Sequence, residues 1–300
     1  MTDITDAGTP PVRATTYVGR WPEIPAREAP GTPDGTFSPT TSVLISGPTE
    51  VVLIDAQYLE DDVRELGDLI ERTGKTLTTI YVTHAHADHY AGAETLLERF
   101  PTARYVALPN VAQAIHDTLE VQQSQWDLLF GDACVSFSAI PESLHETTLY
   151  VDGTPIEIIE IEQADISPTS IVHVPDIGVV VAGDAIYNEI HPMLGLSTPD
   201  EWQAWQRAID VVEGLNPRSV IAGHRRPDGD DHAVEEMIAQ TRAYLADFSA
   251  TYHEAENVED FVQTIATKYP HHGNLWTLLF SANSALEHRE KMSADRATSK

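Results

Sequence analysis

The stretch YVTHAHADHY, residues 81–90, sets three histidines and an aspartate within six positions directly behind an apolar run, TTIYV. Side chains along a strand alternate between its two sides, so His84 and His86 project together where the strand gives way to a loop. Asp88 and His89 open the next turn. Imidazole and carboxylate are preferred ligands of zinc and also suit iron and manganese. Four such groups in this order point to a metal site.

Around that stretch, strands alternate with helices. SVLIS and VVLIDA, parted by the turn-forming GPTE, predict an antiparallel pair. LEDDVRELGDLIERTG predicts a helix with Leu59, Val63, Leu66, Leu69 and Ile70 on one face, closed at Gly74. After the histidines come a helix (AGAETLLERF), a strand (ARYVAL) and a helix opened by Pro109 (PNVAQAIHDTLE). Strands are expected in TLYVD with TPIEIIEIE, in TSIVHVP and in GVVVAGD, with turns at Asp152-Gly153 and at Asp176-Ile177-Gly178. A helix from Pro199, the strand RSVIAGH and the helix DHAVEEMIAQTRAYLADF follow. Two more helices fill 258–288 with a break at Pro270 to Gly273, and the last dozen residues read as a frayed end.

The expected organisation is an extended surface arm over 1–36, rich in Pro, Thr and Gly, then an α/β core over 37–248, then a helical extension over 249–300. Charge narrows the partners. Eighteen Lys and Arg against 47 Asp and Glu leave a net −29, which repels phosphate backbones and anionic lipid, so neither nucleic acid nor a membrane is expected. The single cysteine, Cys134, excludes an intramolecular disulfide and a cysteine metal cage. The first residues, MTDITDAGTPPVRATTY, are acidic where a secretory leader is basic, and no apolar run reaches spanning length. The expectation is a cytoplasmic protein with a small-molecule partner, a homodimer remaining open.

His84-x-His86-x-Asp88-His89, behind an apolar strand and before an Ala-Gly helix start, resembles the signature of the metallo-β-lactamase fold superfamily. The resemblance covers about residues 40–230 and implies an αββα sandwich with metal ligands on loops at one edge of two sheets. It also implies roles beyond the signature. Asp55, ending VVLID, would support the metal loop through hydrogen bonds; Asp184 in VVVAGDAIY would bridge two metals; His224 in VIAGHRRP would be the final ligand. One landmark is missing. Where the family carries a Gly-His-Thr stretch this chain has IEIEQADISPTSIVHVP, and counting back from the VHVP strand puts Gln163 at the third imidazole's place. Glu160, Glu162 and Asp165 lie near it and the loop length leaves the register open by a residue or two, so a nearby acid is an alternative to Gln163, while His173 sits in the strand itself. One or two zinc ions are therefore expected, with iron or manganese as alternatives. Asp88, His89, Asp184 and His224 would form the tighter site; His84, His86 and Asp184, with at best a weak amide from Gln163, would form a first site that is weak, differently liganded or empty.

The chemistry implied is hydrolysis of a small ester-like molecule (lactone, ester, amide or thioester) by a metal-bound hydroxide, with Asp88 orienting the water or passing a proton. Tyr187, three residues past Asp184, gives an Asp-x-x-Tyr spacing similar to N-acyl-homoserine lactonases of the same superfamily. That similarity implies a hydroxyl aimed at the substrate carbonyl; packing under the metal loop is the other role open to it. His191 either faces the same pocket, contacting substrate or replacing the lost imidazole, or is an exposed loop histidine. Trp126, Phe130, Phe137, Trp276 and Phe280 either wall a pocket over the metal edge or fasten helices to the core. Two competing functions stand beside hydrolysis: a lyase, dehalogenase or redox enzyme on the same metal, and a binding protein on a decayed site.

Overall fold

Strand β10 (Val179–Asn188) is buried at every position, and its side chains divide between two apolar layers. Val179 and Val181 join the layer between the sheets, whereas Val180 and Ala182 face a second layer made with helices. A strand buried on both sides reads as the unbroken apolar run seen here. The computed structural model describes residues 12–24 and 36–298, with side chains up to 295.

One sheet has six strands in the order β1 (Arg13–Val18), β2 (Thr41–Ser46), β3 (Glu50–Ile54), β4 (Thr76–Val82), β5 (Arg104–Ala107), β6 (Glu142–Ser143). The β2–β3 hairpin is antiparallel, and β3, β4, β5 and β6 run parallel. Helix α1 (Glu60–Arg72), the short α2 (Ala87–Tyr90), α3 (Ala93–Arg99) and α4 (Pro109–Phe130) connect these parallel strands. The other sheet has five strands in the order β11 (Ser219–Arg225), β10, β9 (Thr169–Val174), β8 (Thr154–Ile161), β7 (Thr148–Val151), with only the β10–β11 pair parallel. Asp152 and Gly153, between β7 and β8, take φ of 46° and 82°, the left-handed pair that a tight hairpin requires. Helices α5 (Pro199–Gly214), α6 (Val234–Glu254), α7 (Val258–Lys268) and α8 (Leu275–Thr298) build the second layer on this sheet. The architecture is the expected αββα sandwich with a helical region at its C-terminal end.

Four details differ from expectation. Residues 13–18 are an edge strand of the first sheet, paired with β2 from Arg13 opposite Ser46 to Val18 opposite Thr41, so that part of the expected arm is sheet; 1–11 and 25–35 fall outside the described residues. Helix α4 does not stop near Glu120 but runs on to Phe130, because Gln122, Trp126 and Phe130 continue its buried stripe. The boundary expected at 248 lies inside α6, and the last dozen residues continue α8 to Thr298 rather than fraying. Among the described residues, no helix is long and apolar enough to cross a membrane.

The two sheets meet at one edge. Thr40 bridges to His224 and His84 bridges to Thr169. Ser170 also donates its N–H (3.1 Å) and its hydroxyl (2.9 Å) to the carbonyl of Thr83. The strand end carrying the histidines is thereby pinned to the opposite sheet.

Candidate metal centre

Asp55 follows β3 with a φ of 60°, a left-handed conformation that aspartate tolerates better than most residues. This turn points its carboxylate at the end of β4. Oδ1 accepts from the Thr83 N–H (2.9 Å), and Oδ2 accepts from the Thr83 hydroxyl (2.9 Å) and from His89 Nδ1 (2.8 Å). With its proton committed to Asp55, the Thr83 oxygen accepts from His84 Nδ1 at 2.9 Å. One carboxylate thus sets the tautomer of two histidines, leaving a lone pair on each Nε2. His224 reaches the same state from the other sheet, its Nδ1 donating to the Pro39 carbonyl at 2.9 Å.

Asp184 arrives by an irregularity. The β10–β11 register shifts between Val181 and Gly183 and again between Gly183 and Tyr187, and Gly183 takes a φ of 48°. This bulge turns Asp184 out of the ladder toward the edge. Gly223, on β11, leaves the room: a Cβ there would overlap Asp184 Oδ1 and the backbone of Gly183.

The side chains converge in two groups, His84 with His86, Asp165 and Asp184, and Asp88 with His89 and His224; in each, the candidate ligand atoms lie within 4.8 Å of one another. Asp184 stands between them, with Oδ1 3.3 Å from His89 Nε2 and Oδ2 3.3 Å from His224 Nε2. Asp88 Oδ2 is 3.3 Å from His224 Nε2 and accepts from the Thr40 hydroxyl at 2.9 Å.

Gln163 is not in either group. It is buried, but its amide donates to the Ala164 carbonyl at 3.1 Å. Asp165 takes the position expected for it, with Oδ2 2.6 Å from His86 Nδ1 and Oδ1 3.9 Å from His84 Nε2. The reason lies in the loop 162–168. Its far end is held by Ser170 on Thr83, and within it Asp165 Oδ1 accepts from the Ile166 N–H at 2.7 Å, which aims the second oxygen at the histidines. Of the outcomes expected for the first site, the grouping matches a different ligand set, with the buried carboxylate of Asp165 where counting back from the strand puts Gln163.

A cation fits this set. His84 Nε2, His89 Nε2 and Asp184 Oδ1 are buried without a hydrogen-bond partner among the described residues, and Asp165 Oδ2 has His86 Nδ1, itself a candidate ligand, beside it. Orphaned buried polar atoms are costly and rare, and three of them in one cluster are what a metal would satisfy. Electrostatics agree. Burial lowers the His84 pKa well below its ordinary value, the neighbouring His89 adding to it. At His89 burial opposes charge, but Asp88, Asp184 and Asp55 outweigh it and raise the pKa well above the usual imidazole range. At Asp184 burial again opposes charge, and His224 and His89 outweigh it to hold the carboxyl well below its usual range. The pocket is electronegative enough to hold positive charge, either as a proton on His89 Nε2 or as a cation that takes that proton's place and frees the lone pair.

The centre opens on a cavity of about 550 Å³. Tyr187 and His191 both line it. The Tyr187 hydroxyl donates to Asp184 Oδ2 at 2.6 Å, and its ring stacks on His224 at 5.5 Å. His191 is buried rather than an exposed loop histidine; its Nδ1 is 2.9 Å from the Tyr244 hydroxyl and its Nε2 has no partner among the described residues. Burial, helped by His272, holds its pKa down to about 3, so the ring is neutral. Of the aromatic residues, Trp126, Trp276 and Phe280 line the cavity; Phe130 packs in the Phe37–Trp126 cluster and Phe137 on Tyr90.

Beside Thr40, Thr83 and Gly223, two further contributors were not singled out from sequence. Gln122 on α4 donates to the Ala85 carbonyl (2.6 Å) and accepts from the Ala87 N–H (2.7 Å), bracing the loop on both sides of His86. Asn274 donates to Ser38 Oγ, 3.0 Å away, and that oxygen lies 3.0 Å from His224 Nδ1, tying the start of α8 to the site. A glutamine amide far along a helix has no local signature; only its recurrence on the Thr118–Gln122–Gln125 face hints at it.

A family model described as the metallo-β-lactamase superfamily matches residues 35–224, well over half of the chain. The chain belongs to the metallo-β-lactamase superfamily. Two curated relatives match locally: the uncharacterised protein YobT of Bacillus subtilis (strain 168), 36% identical over 66 residues, and the metallo-β-lactamase type 2 of Bacillus cereus, 32% identical over 75 residues. The matched stretches span 22% and 25% of this superfamily member and 28% and 29% of those relatives. Among solved structures, a metallo-β-lactamase family protein from Thermus thermophilus aligns with a TM-score of 0.62 at 18% identity, covering 93% of this chain and 94% of that one. A β-lactamase domain protein from Burkholderia ambifaria aligns at 0.61 and 15% identity, covering 90% and 84%. These likenesses carry the superfamily fold into the C-terminal helices, beyond the family match.

Proposed function

We propose that this superfamily member is a metal-dependent hydrolase of a small ester-like substrate, an ester, lactone, amide or thioester. The observation that carries this reading is the convergence of three histidine Nε2 atoms with the buried carboxylates of Asp165 and Asp184 beside an open cavity. His84, His86, Asp165 and Asp184 would hold one cation, and Asp88, His89 and His224 a second, with Asp184 shared. A divalent cation bound there supplies Lewis acidity and an activated water.

The chain's own groups do the rest. Asp88 lines the cavity with one oxygen accepting from Thr40, which leaves the carboxylate oriented to take a proton from the water and pass it to the leaving group. Tyr187 donates to Asp184 in this state and can instead donate to a substrate carbonyl from the same wall. Two carboxylates in the four-residue group make it richer in oxygen than an all-imidazole corner, which suits iron or manganese as well as zinc.

The test combines metal analysis of protein purified without chelators with turnover in oxygen-labelled water. Bound divalent metal and solvent oxygen in the product are expected. Products free of solvent oxygen would eliminate hydrolysis, and a metal-free protein with full turnover would eliminate the centre.

A further inference from the structure

The wall of the cavity has a chemistry of its own. Among the described residues lining it there is no lysine or arginine, and its carboxylates are Asp88, Asp165 and Asp184, all at the metal corners. Away from those corners the wall offers no charge of either sign. A substrate bearing a carboxylate, sulfate or phosphate on its far end would be desolvated there without a partner, inside a chain of net charge −29.

The remaining wall is mostly apolar, with neutral groups such as Thr118, Gln125 and Thr277 set among aliphatic and aromatic side chains. On one side runs a face of α4 that includes Ala114, Val121, Trp126 and Leu129. At 1.5 Å per residue, the stretch from Ala114 to Leu129 extends roughly 22 Å. On the other side stand Trp276 and Phe280, one turn apart on α8, with rings stacked at 5.5 Å.

The rim is also apolar. Val121 is 60% exposed, Leu128 61%, Leu196 51% and Phe280 37%; all four line this cavity, and they are half of the eight large apolar side chains left exposed in the described chain. Scattered apolar residues need no explanation, but four around one mouth mark a surface built to be covered by something apolar.

We propose that the substrate is uncharged and carries a medium-length alkyl tail, laid between α4 and α8 with its ester-like head at the metal corners. The position of the head rests on the hydrolase reading; the tail site does not. Each buried methylene is worth about fourfold in binding or in kcat/KM, since burying one gains about 0.8 kcal/mol.

The metal-loaded full chain is assayed with p-nitrophenyl butyrate, p-nitrophenyl octanoate and the mono-p-nitrophenyl ester of suberic acid, which has the octanoate length but ends in a carboxylate. The octanoate is expected to exceed each of the other two in kcat/KM by at least about tenfold. Binding without turnover is measured in parallel by calorimetry with 1-octanol and 1-butanol, and octanol is expected to bind at least about tenfold more tightly. Leu128→Asp and Phe280→Asp, both at exposed positions and checked for folding by circular dichroism, are each expected to lower the octanol-to-butanol ratio severalfold. Equal binding of the two alcohols, or a suberate ester as good as the octanoate, overturns the tail site. Hydrolysis of none of the esters, nor of a lactone, an amide and a thioester of the octanoyl chain length, with the octanol preference intact overturns the hydrolase reading and leaves the tail site standing.

Discussion

The first sheet contributes to the centre one unbroken stretch, His84 to His89, at the end of a single strand, whereas the second contributes Asp165, Asp184 and His224 from three separate places. The difference is one of what holds each donor in position. The first set is contiguous in sequence and is braced by Asp55, just past the neighbouring strand, and by Gln122 across the loop. The second depends on a loop path, a bulge and a glycine that makes room. Donors held by the tertiary frame should therefore be the ones whose surroundings are least tolerant of change.

The largest effect is expected at the residue both groups share. Asp184→Ala should lower bound metal in both corners and cut turnover by two or more orders of magnitude, while His89→Ala should deplete only one corner. Metal counting by mass spectrometry reads this directly, and full metal content in Asp184→Ala would break the comparison. Next comes the loop. Asp165→Ala should weaken one of two metal-binding steps at least about tenfold, and Gln163→Ala should leave both within about twofold, as titration with a competing chelator would show. If Gln163→Ala carried the loss instead, the loop path described here would be wrong.

Asp55→Asn touches the contiguous set. It keeps the shape but disturbs the tautomers of His84 and His89, so metal affinity should fall by about 10- to 100-fold with the fold intact. In the second sheet, Gly223→Ala forces Asp184 and Gly183 to move, and about 1–3 kcal/mol of stability should be lost in denaturant titration. A Gly223→Ala protein as stable as the parent would show that the bulge is more pliant than its packing suggests.

The smallest effect concerns His191, on the second-sheet side of the cavity. Its folded pKa is held at about 3 by burial, below its ordinary value, so the unfolded chain takes up a proton that the native state refuses. Stability from this residue is therefore complete above pH about 6.5 and is lost as pH falls from there toward about 3. Between pH 7.5 and 5.5 the loss should be about 1 kcal/mol, and His191→Asn should flatten that part of the profile.

Much of this was legible in the chain. Apolar runs of strand length, the helical stripe of Val63, Leu66 and Ile70, and turn residues such as Asp152-Gly153 place most elements, because period and turn chemistry act over a few residues. The end of α4 was not legible: QSQWDLLF lacks a regular polar face because part of it lines the cavity and Leu128 is left exposed at the rim. Residues 13–18 alternate too weakly, with an exposed and half-buried pattern, to declare an edge strand before β2 is there to pair with.

The sequence by itself determined that a strand ends in three imidazoles and a carboxylate, since residues one or two apart are placed by bond geometry alone. It also determined which apolar runs precede Asp184 and His224. What only the tertiary structure decided is that Asp165 rather than Gln163 meets His84 and His86. Two residues of register in the loop 162–168 cannot be settled by local preference. They are settled by where Ser170 is fastened to Thr83 and by the Ile166 N–H that turns the Asp165 carboxylate inward. The tertiary structure likewise decided that Gln122 and Asn274, far apart in the chain, brace the same centre, because distances across a fold are set by packing and not by sequence separation.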